Sequence, residues 1–180
     1  LDDPRVRLAL ALAIDREKLT KKILQGGQPA TGRMIPPALR PAAVSSELTT
    51  AHRHDPAAAR ALLTAAGFNA KNFPRLELSF WTSPAVLEAI QAMWQRELGV
   101  RSTIEPVEQK IWIQNQKSLA HTVALLGWTA DFPDPITFLD ILRAGGGNNF
   151  TGWAHPPYDA LLDRAAASKI PRGLGRPSSP

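Results

Sequence analysis

The pattern of apolar residues predicts several helices along the chain. The clearest runs from 55 to 67, where Asp55 is a typical helix cap, Pro56 fits the first turn and Gly67 ends the pattern. The stretch 109–120 is also predicted to be helical, although its isoleucines are equally compatible with a strand. The remaining predicted helices are one or two within 1–24 and one each over 84–98, 135–145 and 155–169.

Three stretches have the pattern of strands. Alternate apolar residues lie on one face of 76–81, and a second strand is predicted over 100–108. Because a helix lies between these two, a parallel pair with a right-handed crossover is favoured. The apolar run 122–128 suits the centre of a sheet that is covered on both faces. The sequence therefore predicts an α/β fold with a short mixed sheet flanked by helices.

Composition is that of a globular protein, with 44% hydrophobic and 21% charged residues in a chain of 180. The net charge of +5 is scattered and partly lies in the last dozen residues, which argues against a nucleic-acid-binding face. No cysteine is present, so disulfides and thiolate chemistry are excluded.

The chain opens without a basic and apolar leader, and no apolar run is long enough to span a bilayer. The Pro-, Gly- and Ser-rich stretch 169–180 is expected to be a disordered tail, foreign to the rest of the chain.

Histidines and a glycine-rich loop are the weaker chemical candidates. His52 and His54 have no third ligand placed by the sequence, so no metal site is expected. His155 lacks a nucleophile in a recognisable turn. The stretch 145–149, GGGNN, lacks the spacing of a phosphate-binding loop and is expected to be a flexible connection.

The stretch LLGWTADFPDP, 125–135, contains the strongest candidate. Asp134 precedes a proline and a helical pattern, so a capping role is expected. Asp131 has no such duty and follows the predicted central strand, where open α/β sheets bind their ligands. A turn aspartate that bonds its own backbone is an equally good interpretation of Asp131. Trp128 and Trp153 stand at element ends, where an aromatic ring can line a pocket.

Taken in order, several motifs resemble a known family. They are DPRVRLALALAIDREKL, ILQGGQPATGRMIPP, DPAAARALLTAAGF, LLGWTADFPDPITFL, NNFTGW and PPYDALLDRAAA. Together they resemble the extracytoplasmic solute-binding proteins of peptide and nickel ABC transporters, family 5. The resemblance covers residues 1–168, and it implies one incomplete lobe, much of the second, of a two-lobed class II periplasmic-binding-protein fold.

The resemblance also implies a function and a ligand site. In the peptide binders of this family, the aspartate of the GW-x-A-D pattern holds the free α-amino group of the peptide. That residue corresponds to Asp131, preceded here by Gly127 and Trp128, and we expect Trp153 to supply a further wall. Some relatives place an arginine where this chain has Leu125, and that arginine meets a carboxylate of the ligand. Leu125 cannot do so, which leaves the contact at the far end of the ligand open. Nickel chelates, sugars or haem are therefore alternative ligands.

The expected partners are therefore a small peptide or other solute and the membrane permease of an importer, outside the cytoplasm. We expect no cofactor, no nucleic acid and no catalysis, and we expect self-association through an exposed cleft face. The main alternative is a small α/β hydrolase-like enzyme that uses His155 with Asp131.

Overall fold

The computed structural model describes residues 1–40 and 53–168. The predicted tail from 169 onwards and His52 lie outside the described residues. The helices are α1 (Pro4–Leu12), α2 (Arg16–Lys18), α3 (Pro56–Ala65), α4 (Pro84–Leu98), α5 (Gln109–Lys117), α6 (Ile136–Leu139) and α7 (Pro156–Ala167). A π-helical turn, Leu19–Leu24, continues α2, and 3-10 turns cover Pro37–Leu39 and Asp140–Leu142. The strands are β1 (Leu76–Phe80), β2 (Ser102–Pro106) and β3 (Val123–Ala124).

Aspartate caps fix where three of the helices begin. The side chain of Asp3 accepts a hydrogen bond from Arg5 N at 2.8 Å, and Asp15 accepts one from Lys18 N at 3.0 Å. Asp55 accepts one from Ala58 N at 2.9 Å, in the capping role that the sequence predicts. Each carboxylate pairs with an amide that has no partner inside its helix, and the negative charge suits the positive end of the helix dipole.

The three strands form one parallel sheet in the order β2-β1-β3. The predicted parallel pair is present: Leu76 lies opposite Ser102, and the register continues to the end of both strands. Every strand pairing in the described part of the chain is parallel, so the expectation of a mixed sheet was wrong in this detail.

The expected central strand over 122–128 was also wrong, because β1 occupies the centre and β3 lies at an edge. Only Val123 and Ala124 pair with β1, and no other described strand pairs with β3. Beyond these two residues the chain leaves the sheet, and Leu126 is 43% exposed. An apolar run of strand length therefore forms only two residues of strand.

The chain divides into two compact units, which are described separately. Among the described residues, unit 1 comprises 1–32, 53–116 and 120–125, and unit 2 comprises 33–40, 117–119 and 126–168. The core of unit 1 packs one face of β1 against α1, α3 and α4, and its most deeply buried side chains include Leu76 and Leu78. Trp94 is 4% exposed and donates its indole N–H to Leu10 O at 2.9 Å.

Unit 2 contains α6 and α7 around a smaller core, in which Phe138, Ile141 and Leu162 are buried. The helix expected over 135–145 is shorter than predicted. It tightens into a 3-10 turn at Asp140, where Arg143 N donates to Asp140 O three residues back. The side chain of Arg143 also bridges the carboxylates of Asp140 and Asp163, at 2.7 and 2.9 Å, and so connects this turn to α7.

Candidate functional site

Asp131 lies in the turn before α6, and one buried hydroxyl orients it. The backbone N–H of Asp131 donates to Thr137 Oγ1 at 3.2 Å, and the same hydroxyl donates to Asp131 Oδ2, also at 3.2 Å. Thr137 is 5% exposed, whereas Asp131 is exposed. Within the described ranges, no Lys, Arg or His forms an ion pair with this carboxylate. The structure therefore presents an oriented, solvent-facing negative charge with no cation of its own.

Asp134 bonds to the start of α6, although the expected cap position is shifted by one residue, because Pro135 and not Asp134 is the N-cap. Its Oδ1 accepts a hydrogen bond from Ile136 N at 2.9 Å, and its backbone carbonyl accepts one from Thr137 N. These contacts stabilise the start of α6. The two aspartates of this loop therefore make different contacts. Asp134 bonds to the first turn of α6, whereas Asp131 is oriented by Thr137 and is exposed to solvent.

Gly127 and Trp128 precede this turn. Gly127 is exposed, and a Cβ built on it would meet nothing within 4 Å, so no neighbour in the structure requires a glycine there. Trp128 is half-buried, and its Nε1 is buried without a hydrogen-bond partner among the described residues. Buried donors are almost always paired in folded proteins, and this indole N–H is one of several that the described residues leave without an acceptor.

Trp153 forms an aromatic cluster with His155 and Tyr158. The rings of Trp153 and His155 stack with centroids 5.5 Å apart at an interplanar angle of 17°, and Tyr158 meets Trp153 edge-on at 5.1 Å. Trp153 nevertheless stays 42% exposed. The Tyr158 hydroxyl donates to Leu139 O at 2.7 Å, which attaches the cluster to α6. An exposed indole with fixed neighbours is suited to contact a ligand.

Burial raises the pKa of the Tyr158 phenol above its usual value, and the nearby negative charges of Asp140 and Asp159 raise it further. The phenol therefore stays protonated, as a donor, over the ordinary range of pH. Its hydrogen bond to Leu139 O is therefore kept over that range.

Asn149 is a structural residue that sequence reasoning missed. The glycine-rich stretch expected to be a flexible connection is a hydrogen-bonded turn, in which Asn149 N donates to Gly146 O. The Asn149 side-chain amide donates to three backbone carbonyls, and its Oδ1 accepts from Thr151. The available signal was the spacing of Asn149 and Thr151, because asparagine and threonine side chains commonly bond the backbone two residues on.

The hydrolase alternative finds no support in this geometry. His155 is stacked on Trp153, and in the residues that the structure describes no hydrogen bond or ion pair joins it to Asp131. A histidine does lie near a carboxylate elsewhere, in unit 1, where His54 Nδ1 is 4.0 Å from Asp15 Oδ2. Across 1–40 and 53–168, no cluster of three or more His, Asp or Glu side chains is arranged to hold a metal ion.

The four residues predicted for the site all belong to unit 2. Gly127 and Trp128 lead into the Asp131 turn, whereas Trp153 belongs to the aromatic cluster at the start of α7. No hydrogen bond joins the two groups in the described structure. Chemically, these four positions offer an exposed aspartate, a buried indole N–H and an exposed indole ring.

Comparison with known proteins gives a consistent result. The profile of the bacterial extracellular solute-binding proteins, family 5 (middle region), matches residues 1–150. The chain is 31% identical over 176 residues to the oligopeptide-binding protein OppA of Bacillus subtilis, which covers 92% of this chain and 32% of that protein. It is also 31% identical, over 170 residues, to the probable deoxycholate-binding periplasmic protein YgiS of Escherichia coli, with 91% and 31% covered.

Solved structures show the same fold. The structure of Haemophilus influenzae OppA in complex with the peptide RPPGFSPFR is similar to this chain with a TM-score of 0.78 and 26% sequence identity. The similarity covers 94% of this chain and 34% of the OppA chain. The chain therefore spans about a third of the length of these three relatives, and the α/β fold expected from the resemblance is confirmed.

Proposed function

The chain belongs to the bacterial extracellular solute-binding proteins of family 5, and we propose that it is part of the peptide-binding component of an ABC-type importer. The names of several relatives support a peptide as the solute, among them the oligopeptide-binding protein of B. subtilis. Another relative is named as a probable deoxycholate-binding protein, so the names of similar proteins do not all point to a peptide. The proposal that the solute is a peptide therefore rests on the chemistry of this chain's own residues.

The observation that carries the proposal is Asp131, an exposed residue that Thr137 orients and with which no Lys, Arg or His of 1–40 and 53–168 forms an ion pair. A free peptide amino group supplies the missing cation and forms charge-assisted hydrogen bonds to such a carboxylate. Gly127 leaves open space next to the Trp128 backbone, which allows a ligand main chain to approach closely. Trp128 and Trp153 then act as apolar walls for the ligand, and their rings also suit a cationic side chain.

The same proposal assigns the chain no catalytic step and places the protein outside the cytoplasm, where it delivers its solute to a membrane permease. Similar proteins named as periplasmic support this location. In the described part of the chain, no helix combines the length and the apolar character needed to cross a bilayer. Self-association through exposed apolar side chains of unit 2, such as Leu126 and Phe132, stays a prediction. Sedimentation velocity over a concentration series tests it, and a single monomer peak at every concentration would contradict it.

Substitution of Asp131 by asparagine tests the ligand assignment. We expect the intact protein to bind tri-alanine about tenfold to hundredfold more tightly than N-acetyl-tri-alanine, because acetylation removes the ammonium. Asp131→Asn should abolish this preference with little change in shape. Isothermal titration calorimetry of both peptides against both proteins measures the effect.

Asp134→Asn is the matched control, since it removes the same charge from the same loop. Asparagine caps helices about as well as aspartate, so the start of α6 should be preserved. We expect this variant to keep the preference for the free amino group. A wild-type protein that binds the two peptides equally, or an Asp134→Asn variant that loses the preference as fully as Asp131→Asn does, would remove Asp131 from its proposed role.

A further inference from the structure

The turn before α7 fixes the backbone on both sides of Trp153. The Asn149 side-chain amide donates to Trp153 O at 2.8 Å and to Leu142 O and Arg143 O, both at 3.2 Å. One side chain therefore ties the carbonyl of Trp153 to the end of the 3-10 turn that follows α6. Such a set of bonds holds a single loop conformation rather than a family of them.

Thr151 completes the arrangement from the other side of the tryptophan. Its hydroxyl donates to Asn149 Oδ1 at 2.7 Å and accepts from Trp153 N at 3.1 Å, and its own N–H also donates to Asn149 Oδ1. Both the N–H and the C=O of Trp153 are thus held by side chains of the same loop. We call Asn149 and Thr151 together the Trp153 latch.

The ring of Trp153 is restrained as well as its backbone. His155 stacks on it, Tyr158 contacts it edge-on, and Tyr158 is itself bonded to Leu139 O. Between Thr151 and Trp153 the chain passes through Gly152 at φ +68°, a conformation that favours glycine. Trp153 is thus restrained at its backbone and at its ring, although its side chain is exposed and lies outside the buried core.

Restraint of an exposed ring matters for binding because a mobile side chain loses rotamer freedom when a ligand immobilises it. That loss costs roughly 0.5–1.5 kcal/mol per side chain, and a ring already held in place avoids it. Tryptophan is effective in binding surfaces for the same reason, since it offers a large contact area with few torsions.

We propose that Asn149 and Thr151 are positioning residues, which hold Trp153 as a preformed wall of the ligand site and thereby favour ligands with a large apolar or cationic side chain. The inference rests on the proposed function, in that Trp153 contacts the bound solute. Asn149 and Thr151 themselves act only through the tryptophan.

Thr151→Val tests the latch, because valine has nearly the shape of threonine but lacks the hydroxyl. We expect it to weaken binding of a tripeptide that carries phenylalanine or lysine by about threefold to tenfold, mainly through a faster off-rate. Binding of tri-alanine should change less than about twofold, since its side chains make little use of the ring. Thr151→Ser keeps the hydroxyl and should restore wild-type affinities, and Asn148→Ala, one residue before the latch in an exposed position, should leave them unchanged.

A second measurement follows Trp153 itself without any ligand. In protein labelled with 5-fluorotryptophan, Trp153→Phe identifies the fluorine resonance of Trp153. We expect that resonance to shift or broaden in Thr151→Val and Asn149→Ala, and to keep its wild-type position in Thr151→Ser and Asn148→Ala.

The two measurements separate the two proposals. If no tripeptide binds the wild-type protein, the proposed function fails, and the fluorine spectra still decide whether the latch holds Trp153. An unchanged Trp153 resonance in both latch variants would overturn the latch. A changed resonance with unchanged affinity for every peptide would show that the latch serves the fold alone, and would overturn its role in binding.

Discussion

Substitution of Trp94 by phenylalanine isolates one buried hydrogen bond in unit 1. Trp94 is 4% exposed, and its indole N–H bonds to Leu10 O at 2.9 Å. Leu10 lies in the last turn of α1, where backbone carbonyls run out of helical partners, and Ile14 N bonds to Ala11 O instead. Without the indole, Leu10 O becomes a buried acceptor with no donor, which costs about 1–3 kcal/mol.

The smaller ring also leaves a void in a closely packed core, so we expect the free energy of unfolding to fall by at least about 2 kcal/mol. Urea unfolding followed by far-ultraviolet circular dichroism measures the change, because the substitution removes a fluorophore. Trp81→Phe is the control: Trp81 is 45% exposed and tilted against Trp112 at 6.5 Å, so its loss should stay within about 0.5 kcal/mol. Equal losses in the two variants would refute the reasoning.

Two further results are expected in unit 2. Gly152→Ala should destabilise the protein by about 1–2 kcal/mol, because alanine is strained at φ +68° and its Cβ would lie 2.8 Å from Leu119 Cδ1. Gly127→Ala, whose Cβ meets open space, should be close to neutral; urea unfolding of both variants measures the difference, and equal effects would count against the argument. Tyr158 is the only tyrosine, and its raised pKa means that its contribution to stability is complete below the ordinary value of about 10 and is lost as pH rises through the folded-state value. Its ultraviolet titration should therefore have a higher midpoint in native protein than in urea, and a common midpoint would contradict the assignment.

Local signals in the sequence predicted much of the fold. The Asp-Pro start of α3, the alternating residues of β1 and the helix between β1 and β2 each depend on neighbours a few positions away. The short β3 could not be predicted, because the number of paired residues depends on which strand lies alongside. The contact of Asp134 with the start of α6 could be expected from the sequence, since it lies between residues two positions apart, whereas the ligand role of Asp131 stays a prediction.

Contacts across the fold decided the rest. Nothing local in the sequence indicates that Thr137 orients Asp131, or that Trp94 reaches a carbonyl of α1. The contact between Trp153 and Tyr158 depends on how the chain turns between them, and so does the role of Asn149. Hydrogen bonds between a side chain and a distant backbone group are a property of the folded chain, not of a spacing pattern.

The position of β3 at the sheet edge has a consequence for local opening. Its two pairings, Leu78 with Val123 and Ser79 with Ala124, close a long stretch of chain for few backbone hydrogen bonds. Opening this strand therefore sacrifices less free energy than opening β1 or β2, and in a hydrogen-exchange experiment its amides should exchange first among the three strands. The chain runs directly from β3 into the segment that carries Gly127 and Asp131. The strand that is expected to open first is thus the one that continues along the chain into the candidate ligand site.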